Sequence, residues 1–168
     1  MTDDQAHELP SDEHVFGADM ENLTLDDYVT YRVSVLAQMF GREASRKYHA
    51  RWGLSLPQYR ILTLPGKLGP TALRDLTDHS QMDKGQVSRV VTQLDAKRLV
   101  VRQPDERDGR RQILTLTKSG EDLYRQTIGA AEARQREILS VLSPEELVTL
   151  RTALDKLSRH MRARLGSE

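Results

Sequence analysis

Residues Met82 to Arg102 read MDKGQVSRVVTQLDAKRLVVR, and the spacing of the apolar residues within this stretch decides the fold. Val87, Val90, Val91 and Leu94 stand at i, i+3, i+4 and i+7, the interval that brings side chains onto one face of an α-helix. Asp83 precedes that helix as an N-cap, and Gln86 three residues later gives capping-box spacing. The opposite face carries Lys84, Gln86, Ser88, Arg89 and Gln93, which are donor-rich and include no acid. After Leu99 the pattern changes from helix to strand. LVVR (residues 99–102) and QILTL (112–116) are β-branched and aliphatic runs joined by nine residues. Those nine contain DERDGRR (105–111), a hairpin tip with charge of both signs.

Working outward, GPTALRDLTDHS (69–80) predicts a short helix capped by Thr71, with Leu73 and Leu76 as its buried stripe. LSLPQYRILTLPG (54–66) predicts a helix capped by Ser55 and ended by Pro65 and Gly66. Before it, Thr24 caps a long helix that stops at Gly53, with Val29, Val33, Leu36, Phe40 and Ala44 at helical spacing. Downstream, Thr117 caps a helix from Lys118 to about Val141. A last helix opens with Ser143 as N-cap, Pro144 at its first position and Glu146 at its third. Leu147, Leu150, Leu154, Leu157 and Met161 form an a/d-like seam along it, a pattern that calls for a partner.

The chain has 168 residues, 38% hydrophobic and 30% charged, which suits a soluble helical protein. The formal net charge of zero conceals a strong asymmetry. Residues 1–31 hold nine acids and no Lys or Arg, residues 32–65 are at +5, residues 66–118 at +4, and the remainder is neutral. An acidic arm therefore masks a basic body, and it is the basic body that suits phosphates. With zero cysteines the chain has no disulfide, no thiolate metal site and no thiol peroxide sensor. His7, His14, His49, His79 and His160 lack ligand spacing with carboxylates, so no metal or other cofactor is expected. No nucleophile, base and orienter fall into a motif, and no glycine-rich phosphate loop occurs, so the chain is not expected to be an enzyme. It has no apolar run of about 18 residues and no leader-like N-terminus, which makes the cytoplasm the expected compartment.

Two short helices followed by a hairpin with a basic tip is the order of a winged helix-turn-helix, whose second helix enters the major groove of DNA. On that reading Arg89 pairs with guanine, Gln86 with adenine, Lys84 or Ser88 meets a base edge or phosphate, and Gln93 is a further DNA contact. Gly85 lowers helix propensity by about 1 kcal/mol but permits close backbone approach.

The pieces LSLPQYRIL, MDKGQVSRVVTQLDAKRLVVR, DGRRQILTLTKSG and LSPEELVTLRTALDKL, in this order, resemble the MarR (multiple antibiotic resistance regulator) family across about residues 24–165. The resemblance implies a mainly α chain with a small β-hairpin wing, in which a winged helix-turn-helix DNA-binding lobe joins N- and C-terminal helices that form a dimerisation domain. It also implies a homodimer on a pseudo-palindromic operator of double-stranded DNA, with half-sites about 34 Å apart. The corresponding divisions are an acidic flexible arm (1–23), N-terminal helices (24–65), the DNA-binding lobe (66–117) and C-terminal dimerisation helices (118–165). Val29 and Val33 would join Leu147, Leu150, Leu154, Leu157 and Met161 in the dimer interface.

The family's wing pattern falls on Asp108 and Arg110, which places Arg110 in the minor groove with Asp108 holding it, and leaves Arg107 and Arg111 for phosphates. Three positions depart from the family. Thr77 replaces a frequent Ala, Gln81 a turn Gly, and Arg98 a helix-end Gly; Gln81 and Arg98 would be strained at positive φ. The resemblance further implies a repressor of a neighbouring operon released by a small effector such as an aromatic acid, for which Arg46, His49, Trp52 and Tyr59 offer cations and rings. The alternatives are a ligand-independent regulator and a winged-helix module that binds a protein instead of DNA.

Overall fold

The computed structural model describes residues 24–80, 82–105, 108 and 111–166. The acidic arm, Gln81 and Arg110 therefore lie outside the described residues. The elements in order are α1 (Val29–Trp52), α2 (Leu56–Leu68), β1 (Thr71–Ala72), α3 (Leu73–Ser80), α4 (Lys84–Ala96), β2 (Val100–Pro104), β3 (Gln112–Leu116), α5 (Lys118–Leu139) and α6 (Pro144–Leu165). The chain divides into two compact units, Met1–Pro57 and Gln58–Glu168.

In the first unit, Thr24 does not cap α1 as its spacing predicts. Its N–H and hydroxyl both donate to Asp27 Oδ2 at 2.8 Å, closing a separate 3-10 turn over Leu25–Asp27. These bonds hold the Asp27 carboxyl below its ordinary pKa. The long helix starts after Tyr28 and ends, as expected, on Gly53 at φ 61°, a left-handed stop that glycine takes without Cβ strain. Ala44 and Tyr48 are buried, whereas Val29, Val33, Leu36 and Phe40 are exposed.

In the second unit, α2 runs on through Pro65 to Leu68 instead of stopping at Pro65 and Gly66. The next correction concerns Thr71, which is a strand residue. It pairs with Leu114, and Ala72 pairs with Ile113, so the expected two-stranded hairpin is a three-stranded antiparallel sheet in the order β1-β3-β2. The Thr71 hydroxyl donates to Gly69 O at 2.8 Å instead of capping α3. β2 and β3 pair from Val100↔Leu116 to Pro104↔Gln112. Ile61, Leu62, Leu76, Val91, Leu94, Val100 and Leu114 make the fully buried core of this unit.

Thr117 caps α5 as expected, accepting from Gly120 N at 3.1 Å, and that helix ends at Leu139, two residues before Val141. Gly120 is buried so close to the Leu99 carbonyl that an added Cβ would overlap its oxygen. Ser143 and Glu146 form the full capping box of α6, a helix with no buried residue. Among the described residues no helix is long and apolar enough to cross a membrane.

Arg98 has φ 56°, the left-handed conformation expected where the helix turns into β2. Left-handed geometry costs an L-residue about 1–2 kcal/mol, and glycine's greater unfolded-state freedom cancels part of the gain from relieving it. Arg98→Gly is thus expected to stabilise the protein by about 0.5–1 kcal/mol, raising Tm by about 1–4 °C. A thermal melt showing an unchanged or lower Tm would refute the strain.

Candidate nucleic-acid interface

α4 is held by its buried stripe and opened by its cap. Val87, Val90, Val91 and Leu94 are buried, and Asp83 Oδ1 accepts from Gln86 N at 2.8 Å, forming the Asp83 half of the expected capping box. Lys84, Gly85, Gln86, Ser88 and Arg89 are all exposed on the outward side. At Gly85 an added Cβ would lie 3.6 Å from an Arg89 guanidinium nitrogen and 3.2 Å from Asp83 Oδ1. The Arg89 side chain therefore runs back one turn, toward the helix N-terminus, in the direction helical side chains favour. That end carries the positive pole of the helix dipole, so Lys84, Arg89 and the free N–H groups of the first turn concentrate positive charge there. Such a terminus is suited to phosphates and to acceptor atoms on base edges.

The last turns of α4 are engaged by the protein itself. Gln93, expected among the DNA contacts, accepts at Oε1 from Gln58 Nε2 of α2 at 2.9 Å. Arg102 of β2 donates from Nη2 to Thr92 Oγ1 at 2.9 Å and lies 3.9 Å from Asp95 Oδ2. Neither Gln58 nor Arg102 stands out in the sequence, because such pairings depend on which elements become neighbours.

At the wing, Asp105 N–H donates to Arg111 O at 2.9 Å, and Arg111 N–H donates to Asp108 O at 2.8 Å, closing the base of the tip. Asp108 Oδ2 lies 3.9 Å from Arg111 Nε, and both side chains are exposed. Arg107 and Arg110 fall outside the described residues, as does the strain expected at Gln81. Thr77, on α3, is half-buried, and its hydroxyl donates to Leu73 O one turn back at 3.2 Å.

The expected effector residues are divided between the two units. On α1, Arg46 and His49 are exposed, while half-buried Trp52 meets the Tyr48 ring at 5.9 Å and the Arg51 guanidinium at 4.9 Å. Tyr59, half-buried on α2, belongs to the second unit. An open cleft of about 470 Å³ in the second unit is lined by other residues, including Pro65, Gly66, Pro70, Leu116, Tyr124 and Arg125. Its floor is tight, for a Cβ at Gly66 would come within 2.6 Å of the Tyr124 ring. Among the described residues no three His, Asp or Glu side chains gather as a metal site.

Comparison with known proteins gives the same architecture. A MarR family profile matches residues 52–111. The HTH-type transcriptional regulator BilQ of Clostridium symbiosum is 31% identical over 113 residues, covering 67% of this chain and 78% of BilQ. Among solved structures, the Staphylococcus aureus MepR–DNA complex has a TM-score of 0.73 at 22% identity, covering 80% of this chain and 98% of MepR. Bordetella bronchiseptica BpsR, solved to explain regulation of its DNA binding by 6-hydroxynicotinic acid, has a TM-score of 0.74 at 23% identity, covering 82% of this chain and 97% of BpsR.

Proposed function

The chain belongs to the MarR family of DNA-binding transcription regulators, and from that premise we propose that it is a homodimeric repressor of a neighbouring operon, released by a small organic effector. The observation that carries the DNA-reading part is the first turns of α4, where Lys84, Gln86, Ser88 and Arg89 are all exposed, each with a side-chain donor, and Arg89 is directed to the helix N-terminus. Lys84, Gly85, Gln86, Ser88 and Arg89 are the proposed major-groove contacts, and Arg110 of the wing the minor-groove contact, with Asp108 positioning it and Arg107 and Arg111 on phosphates. Residues 66–117 form the DNA-binding lobe in this proposal, and 24–65 with 118–165 the dimerisation helices.

Two sets of exposed apolar residues support the dimer. Val29, Val33 and Leu36 lie uncovered on α1, and Leu150, Leu154, Leu157 and Met161 on α6. Faces of this kind on soluble chains mark association surfaces. The effector proposal draws on BpsR, which 6-hydroxynicotinic acid regulates. Arg46, His49, Trp52 and Tyr59 are the proposed effector contacts, supplying cations for a carboxylate and rings for an aromatic body. The protein is proposed to work in the cytoplasm, without catalytic activity, metal or bound cofactor.

Gel-shift with the intergenic DNA upstream of its own operon tests the proposal. Tight, salt-sensitive binding is expected, with Arg110→Ala weakening it at least tenfold and Arg89→Ala relaxing base preference by about 1–3 kcal/mol at one position. Binding indifferent to Arg110→Ala would remove the wing from the interface.

A further inference from the structure

We propose that Gln58 and Arg102 are positioning residues that lock the roll of α4 about its own axis and so determine which bases its first turn reads; the inference rests on the reading of α4 as the recognition helix. The apolar stripe of α4 holds the helix against the lobe, but hydrophobic burial is non-directional and constrains the helix axis more firmly than its rotation. Hydrogen bonds with fixed geometry constrain the rotation.

The two tethers approach from opposite flanks. On one, Gln58 of α2, itself only 7% exposed, donates to Gln93 Oε1 at 2.9 Å and accepts from Lys97 Nζ at 3.4 Å. On the other, Arg102 of β2 donates to Thr92 Oγ1 at 2.9 Å and approaches Asp95 Oδ2 to 3.9 Å. At about 100° of turn per residue, Gln93 and Lys97 fall on one side of the buried stripe, and Thr92 and Asp95 on the other. The Thr92 hydroxyl is fixed in turn, because it donates to Ser88 O at 3.0 Å and leaves its lone pairs for Arg102. A buried amide such as Gln58 also loses more than an exposed one when its partners move.

The magnitudes explain why roll matters. A helix with side chains is about 10–12 Å across, so a roll of about 10° moves the tips by about 1 Å. A binding constellation tolerates only about 0.5 Å of misplacement. Phosphate contacts by long lysines and arginines absorb such a shift, whereas bidentate base contacts do not. Gln93 is on this account a tether and not a base reader.

The test uses the full-length chain and the duplex it selects from a random-sequence pool, compared with a scrambled duplex across a salt series. Gln58→Leu and Arg102→Met are each expected to lower the ratio of selected to scrambled affinity about tenfold, the size of one mismatched base pair, leaving scrambled affinity and its salt slope unchanged. Gln93→Leu should lower the ratio in the parent but not in the Gln58→Leu background, because a tether needs both ends; a Gln93 base contact would be lost equally in both and would overturn this half. An unchanged ratio in folded Gln58→Leu and Arg102→Met overturns the proposal. So does a flatter salt slope in Arg102→Met, which would make Arg102 a phosphate contact. If Gln58→Leu does not fold, Arg102→Met and Thr92→Val decide the outcome at accessible positions. Arg89→Ala separates the levels: unchanged preference there overturns α4 as the reader, whereas relaxed preference there beside an unchanged Arg102→Met overturns the tethers alone.

Discussion

Leu154→Arg is expected to convert the protein to monomers and to lower its affinity for its operator by about 10²–10⁴, the avidity gained when two linked modules bind together. Leu150, Leu154, Leu157 and Met161 repeat along one side of α6, between 40% and 51% exposed in the single chain, and no residue of this helix is buried. A helix draws its stability in water chiefly from burial of an apolar face, and in the proposed homodimer a second copy of the chain covers that of α6. A guanidinium in the centre of that seam would have to be desolvated in the dimer without a partner. Size-exclusion chromatography with light scattering reads the outcome directly. A Leu154→Arg protein that still elutes as a dimer would show that the seam lies elsewhere.

Gly120→Ala is expected to destabilise the folded chain by about 3 kcal/mol, the upper part of the range for overpacking, and to lower Tm by about 6–12 °C. Alanine is ordinarily the better helix former by about 1 kcal/mol, so propensity alone predicts the opposite sign. The steric term prevails because the atom in the way is backbone. The Leu99 carbonyl already accepts from Thr117 N at 3.1 Å, and the Gly120 N–H is bonded to the Thr117 hydroxyl. A new Cβ therefore breaks the cap or displaces the strand leading into the wing. Differential scanning calorimetry decides the matter, and a Tm within about 2 °C of the parent would mean that α5 can slide away from Leu99 at little cost.

The parts of the fold legible in the sequence were those with a period or a cap. The stripe Val87, Val90, Val91 and Leu94 is buried, Ser143 and Thr117 cap their helices, Gly53 ends α1, and Arg98 takes positive φ. Thr71 was not legible as strand, because two residues have no period and their only signal is the partner Leu114, far along the chain. Pro65 does not act as the stop that its position predicts. A proline ends a helix where its missing N–H and its ring conflict with the preceding turn, yet α2 accommodates it for one further turn to Leu68. Thr24 carried a valid capping signal but spent it on a 3-10 turn. For the candidate interface, the polar face of α4 was legible, and Lys84, Gln86, Ser88, Arg89 and Gln93 are all exposed, but which of them bonds to the protein itself was not. Gln93 is drawn toward Gln58 only because α2 passes beside it, a fact of tertiary packing that single-chain periodicity does not contain.

The placement of β3 in the middle of the sheet has a consequence for the order in which the lobe is made. Synthesis proceeds from the N-terminus at about 5–20 residues per second, so β1, α3 and the whole of α4 leave the ribosome before the strand that both β1 and β2 require. Until Leu114 emerges, Thr71 has no partner and β2 no ladder. The proposed reading helix is thus synthesised early and secured late, and a nascent chain ending before Leu116 holds the residues proposed to read DNA without the sheet that completes their lobe.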